Sequence, residues 1–133
     1  MVEVYLDLHE VDLYGWEKRK SAEKIKEMLE GIANGSVFPA VPVFETTFGV
    51  LLLDPKVKFQ NGFLDGGHHR AVAHYIAQVP LRCDINPAKT EYNMRWPKGR
   101  FIPIAEIRIS SGRKVYSIPE FKNQVRGILN PSH

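Results

Sequence analysis

The sequence predicts an α+β fold, a small mixed β-sheet with two or three packed helices. Three observations lead there. Val2, Val4, Leu6 and Leu8 alternate with Glu3, Tyr5 and Asp7, the period-two pattern of a half-buried strand. Two stretches, one following Ser21 and stopped by Gly35, the other through Ala71–Gln78 and ended by Pro80, carry apolar residues at helical spacing. Short apolar runs separated by turn signals lie around them, and there is no repeat, low-complexity tract or linker. A single domain over residues 1–133 is expected, long enough to bury a core.

The elements follow in order. Leu13-Tyr14-Gly15-Trp16 reads as a loop leading into the charged run Glu17-Lys18-Arg19-Lys20. Ser21 can cap the next helix, whose face is Ile25, Met28, Leu29 and Ile32, with Gly35 as its stop. Val41, Val43 and Val50-Leu51-Leu52-Leu53 are strand candidates. Asp54-Pro55-Lys56 is a turn signal. Val57 and Phe59 alternate toward Asn61-Gly62, a strong turn dipeptide. The apolar run Gly62-Phe63-Leu64 then leads into the second helix. There Val72, Ala73, Ile76 and Val79 form the buried stripe, while Arg70 and His74 share another face. Pro80 ends the helix. Leu81, Cys83 and Ile85 form one face of a further strand. Residues 87–133 add a polar loop, an extended segment through Ile102, Ile104, Ile107 and Ile109, and a last helix. Ser117-Ile118-Pro119-Glu120 is a capping box for that helix, and Phe121, Val125, Ile128 and Leu129 form its core face.

Composition narrows the function classes. At 44% hydrophobic and 25% charged residues, the chain suits a soluble globular protein. One cysteine leaves no internal disulfide, which fits a reducing compartment. No apolar run reaches the length of a membrane span, and Met1-Val2-Glu3-Val4 shows no leader pattern, so a cytoplasmic location without membrane attachment is expected. The net charge of +3 and pI near 9.0 favour anionic ligands only weakly.

The chemistry concentrates at Asp65-Gly66-Gly67-His68-His69-Arg70, where a strand end gives way to a helix. Paired glycines permit unusual backbone angles and close ligand approach. The first turn of a helix presents N–H groups and a partial positive charge, and Arg70 adds a planar fork suited to phosphate. Polyphosphate binding is the chemistry this suggests. A tight turn followed by a solvated first turn is the plainer reading of the same residues. Neither Gly-Lys-Ser/Thr nor G-x-G-x-x-G is present.

These residues resemble the signature of the ParB/sulfiredoxin superfamily, which places Gly-x-(His/Arg)-Arg at the start of a helix beneath a nucleoside triphosphate. Sulfiredoxins carry Gly-Gly-Cys-His-Arg, the free serine kinases Asp-Gly-His-His-Arg, and partition proteins Gly-Glu-Arg-Arg. This chain has Gly66-Gly67-His68-His69-Arg70. The resemblance extends upstream through Lys24–Ile32, Asn34-Gly35 and Pro39–Phe44, and downstream through Val79–Ile85. It spans roughly residues 3–86 and implies a ParB/sulfiredoxin-like domain. His68 stands where sulfiredoxins carry their nucleophilic cysteine, so sulfinic acid reduction by that route is excluded. Cys83 reads as an inert buried thiol. A partition protein's helix-turn-helix and dimerisation domains are not expected in these 133 residues, which leave no room for either.

The candidate phosphate- and nucleotide-binding residues are Gly66, Gly67, His68, His69, Arg70 and Lys24. Of the two histidines, His69 matches the one shared by the sulfiredoxin and serine kinase signatures and is the favoured ligand contact or acid/base group. Lys24 matches a nucleotide-contacting lysine of sulfiredoxins and reads otherwise as an exposed helical lysine. Glu27 and Gly31 replace polar ligand contacts of that helix. Asp65 is either a general base or metal carboxylate, or a turn aspartate. Glu17 lies where the serine kinases place a proposed catalytic glutamate, though its surroundings depart from their local motif. A zinc site at His68, His69 and His74 is disfavoured, because adjacent helical residues point about 100° apart. Lys18-Arg19-Lys20 reads as phosphate- or nucleic-acid-binding, or as solvated surface. Trp16 and Trp96 read as base-stacking or as packing residues.

The expected function is binding of ATP or a related nucleotide, with Mg²⁺, for phosphoryl transfer to a small-molecule acceptor or for nucleotide hydrolysis. A nucleic-acid-associated module or nuclease is the second reading, and a non-catalytic nucleotide sensor the third.

Overall fold

A computed structural model describes residues 2–45, 50–53, 67–86 and 101–129. It is α+β, with two sheets and the helices packed on them. The main sheet is six-stranded and mixed. Its members are β1 (Val2–Leu6), β2 (Leu13–Gly15), β4 (Val41–Glu45), β5 (Leu51–Leu53), β6 (Leu81–Asn86) and β7 (Ile102–Pro103), in the order β1-β6-β4-β5-β2-β7. β6 runs antiparallel to β1 and parallel to β4. β5 runs antiparallel to β4 and parallel to β2, which pairs antiparallel with β7. A smaller sheet joins β3 (Arg19–Ser21) in parallel to β8 (Arg108–Ser111), and β8 antiparallel to β9 (Lys114–Tyr116).

Four α-helices occur among the described residues: α1 (Ala22–Ala33), α2 (His68–Ala77), α3 (Ile118–Gln124) and α4 (Arg126–Leu129), with a 3₁₀ turn at Ile104–Glu106. Ile25 and Leu29 of α1 are fully buried. The helix closes as a Schellman motif, with the Ser36 amide donating to the Gly31 carbonyl (2.8 Å) and that of Gly35 to Ile32 (3.1 Å). Val72, Ala73 and Ile76 of α2 are buried in one core with Leu53 of β5 and Leu81 of β6. Arg70 and His74 stay half-exposed on another face. α3 begins with the expected capping box: Glu120 N–H donates to Ser117 Oγ (3.3 Å) and Ser117 N–H to Glu120 Oε1 (3.0 Å).

Several expectations are corrected. The segment read as a loop and charged run holds β2 and β3, each three residues long and too short to show a period. Ser21 occupies the N-cap position of α1 without a side-chain capping bond. Val79 is 40% exposed and not in the buried stripe, because α2 ends at Ala77 and Gln78 turns the chain in the left-handed region (φ 57°). Ile102, Ile104, Ile107 and Ile109 fall in β7, in the 3₁₀ turn, after that turn and in β8 respectively. The turn signals at 54–56 and 61–62, the run 62–64, Asp65, Gly66 and Trp96 lie outside the described residues.

Candidate functional site at the start of helix α2

Gly67 sets the geometry of the turn. Its φ of 96° is left-handed, and a Cβ there would lie 2.7 Å from Val41 Cγ1. Only glycine fits both the conformation and the approach to β4.

His68, the first residue of α2, is completely buried. Its Nε2 accepts hydrogen bonds from the backbone amides of Trp16 (3.0 Å) and Glu17 (3.3 Å). An accepting Nε2 places the ring proton on Nδ1 in the neutral imidazole. Nδ1 lies 3.6 Å from Glu17 Oε2, and Glu17 pairs with Lys20 through the same oxygen. The Trp16 ring meets the imidazole edge-on, with centroids 4.4 Å apart. Gly15 makes this approach feasible, since a Cβ there would sit 2.5 Å from His68 Nε2.

The structure therefore brings Glu17 to the head of α2, from 51 residues upstream of His68. It assigns the His68 ring to the interior rather than to a ligand surface, which corrects its place among the phosphate contacts: only its main chain belongs to the turn. His69 is 6% exposed. Lys24 is exposed on α1, and no contact among the described residues places it beside the turn. The burial of His68 has a sequence signal. His68, Val72 and Ile76 recur every four residues, so His68 continues the apolar stripe. The roles of Gly15, Trp16 and Lys20 have none, because they depend on a partner far along the chain.

Arg70 leaves α2 on the other side. Its Nη1 donates to the Pro39 carbonyl (2.8 Å). Arg70 and His74 then line a groove of about 170 Å³, with Phe38, Val79, Pro80 and Tyr5 around it. The Phe38 and His74 rings stand edge to face, 6.4 Å apart. His74 Nδ1–H donates to the Val79 carbonyl (3.1 Å). Burial holds the His74 pKa below its ordinary value and neighbouring Arg70 lowers it further, against opposing hydrogen bonds to the backbone at Val79 and Pro80. At the groove's edge Arg82 is paired with Glu3 (2.9 Å). Cys83, buried beneath, has its pKa pushed up to about 12 by desolvation, as an inert packing thiol should.

Among the described residues, no group of three or more His, Cys, Asp or Glu side chains could hold a metal ion, and no helix is long and apolar enough to cross a membrane. No family model matches the chain, and no curated protein or solved structure matches it.

Two outcomes are expected. His68→Ala leaves two amides without their acceptor and a void beside Trp16, and should lower the unfolding free energy by about 2–4 kcal/mol, read from urea denaturation. His74 has a folded pKa below its unfolded value, so the unfolded chain takes up its proton first as pH falls. Its contribution is present above pH of about 6.5 and is lost below it. The melting temperature of the parent should fall more steeply between about pH 7 and 5 than that of His74→Gln.

Proposed function

We propose that the chain binds a nucleotide, ATP or a related triphosphate, with its phosphates at the first turn of α2, and that it catalyses phosphoryl transfer to a small hydroxyl-bearing acceptor or nucleotide hydrolysis. The observation that carries this reading is the meeting of Glu17 with the head of α2. Two distant parts of the chain meet there, the segment that carries Glu17 and the first turn of α2 that carries Arg70. The resemblance to the ParB/sulfiredoxin superfamily supports it through Gly67-His68-His69-Arg70, and through the region of Glu17 though not through its local motif.

The residues fit the roles. The positive end of the α2 dipole and the Arg70 guanidinium favour a phosphate group. The groove beyond Arg70 offers the rings of Phe38 and His74 to the nucleoside end. Glu17 would repel a phosphate that it touched, so it suits the acceptor side, taking a proton from a hydroxyl or water. Lys20 and His68 hold that carboxylate in place. Phosphoryl transfer needs positioning and charge neutralisation above all. Mg²⁺ would supply further neutralisation, carried mainly by the phosphates.

The test begins with thermal shift against ATP, ADP, CTP and GTP, each with and without Mg²⁺, because a ligand selective for the folded state raises apparent stability. Arg70→Ala should then weaken binding of the best nucleotide by about 1.5–3 kcal/mol in calorimetry. Equal affinity in parent and variant would remove Arg70 from the site. Glu17→Gln should retain nucleotide binding while turnover, assayed as ADP or phosphate release with a panel of hydroxyl acceptors, falls by about 10²–10⁴-fold. Binding without turnover in the parent would leave a nucleotide sensor.

A further inference from the structure

The small sheet β3-β8-β9 reaches the site at α2 only through Lys20, on its inner face, and the charge of its outer face is of one sign. Arg19 of β3 lies directly opposite Arg108 of β8 in the parallel ladder, a register continued by Arg108 N–H donating to the Lys18 carbonyl (2.8 Å). Both arginines are exposed, and neither forms an ion pair among the described residues. Like charges opposed across strands destabilise a sheet. Ile109, between Arg108 and Ser110, is fully buried, so the arginines occupy the face turned away from the core. The turn joining β8 to β9 adds exposed Arg113, while exposed Lys114 pairs with Ser111 on the Ile109 side of the hairpin and Val115 lies on the outer face. Residues 101–129 carry Arg108, Arg113, Lys114, Lys122 and Arg126 against Glu106 and Glu120, an excess equal to the +3 of the whole chain. Glu120 is engaged in the capping box, where its carboxylate accepts from the Ser117 amide.

We propose that the outer face of this sheet binds the phosphate backbone of duplex nucleic acid, without reading sequence. Charge complementarity selects a polyanion: each exposed cation that meets a phosphate releases condensed counterions, and the opposed arginines gain a partner for the repulsion between them. The same face argues for a duplex over a single strand. Single-strand platforms stack bases on exposed aromatic rings. Tyr116, the aromatic residue of β9, is the register partner of buried Ile109 and packs against the core. Backbone contacts of this kind position a protein on DNA and carry no base information.

The test is fluorescence anisotropy with a short duplex of arbitrary sequence, the corresponding single strand, and anionic phospholipid vesicles, over a range of salt concentrations. The parent should prefer the duplex, with log affinity falling linearly with log salt. Arg19→Gln/Arg108→Gln should flatten that slope by about 1.8, from about 0.9 for each phosphate no longer neutralised. It should leave nucleotide-induced thermal shifts at the parent value, and Arg70→Ala should leave duplex affinity unchanged. Failure of nucleotide binding therefore does not touch this proposal. No duplex binding at the lowest salt, an unchanged slope in the double variant, binding to vesicles alone, or loss of duplex affinity in Arg70→Ala would each overturn it.

Discussion

The buried imidazole of His68 is the constraint on which the rest depends. One ring nitrogen receives two backbone amides from the chain between β2 and β3. Those amides lie where the chain passes beneath the head of α2, and burying them without an acceptor would cost about 1–3 kcal/mol each. A neutral histidine meets the need because its Nε2 can accept while Nδ1–H turns toward the Glu17 carboxylate. Protonation of Nε2 would set donor against donor. The residue before Trp16 must then be glycine, since the ring occupies the space of a Cβ. One side chain thus fixes the path of residues 15–17, the position of Glu17 and the start of α2.

The electrostatic consequence is an asymmetric turn. On one side stands Glu17, compensated by Lys20. On the other stands Arg70, tied by one nitrogen to the Pro39 carbonyl and reaching toward the groove. Under the proposed function, an anion would approach α2 on the Arg70 side and not on the Glu17 side. The proposed transfer between a bound phosphate and a separate hydroxyl would use that division. Under the same proposal Glu17 would suit a base better than a phosphate contact.

How much of this is legible in the sequence varies with the range of the interactions. The helices are legible, because their periodicity and the capping box at Ser117 are local. The longer strands are legible for the same reason. β2 and β3 are not, since three residues define no period and their pairing partners lie far along the chain. Val79 reads as part of the α2 stripe because Pro80 looks like the stop, whereas the chain turns earlier, at Gln78, in a left-handed conformation. Gly67, His68 and Arg70 stand out in the sequence, but the division between them does not. One glycine serves the backbone, one histidine serves the core, and the arginine keeps its outward face. Glu17 is reached only through resemblance. Its physical reason for being there, the His68 ring, is a contact between distant segments that no local pattern encodes.

The run Lys18-Arg19-Lys20 shows how the fold gives adjacent like charges different work. Read as sequence, it is one uniform run, either a phosphate or nucleic-acid contact or solvated surface. In the sheet, β3 alternates its side chains between two faces. Lys20 turns inward to neutralise Glu17 at the head of α2, and Arg19 turns outward to stand beside Arg108. A slip of one residue along β8 would exchange these faces, stranding Glu17 and burying an arginine. The register therefore has to be firm although β3 is only three residues long. It is fixed at one end by the Lys18 carbonyl on the Arg108 amide and at the other by the start of α1, which leaves the sheet directly after Ser21. The carboxylate at α2 and the cations of the outer face thus sit on opposite sides of one short strand, and the same ladder holds both in place.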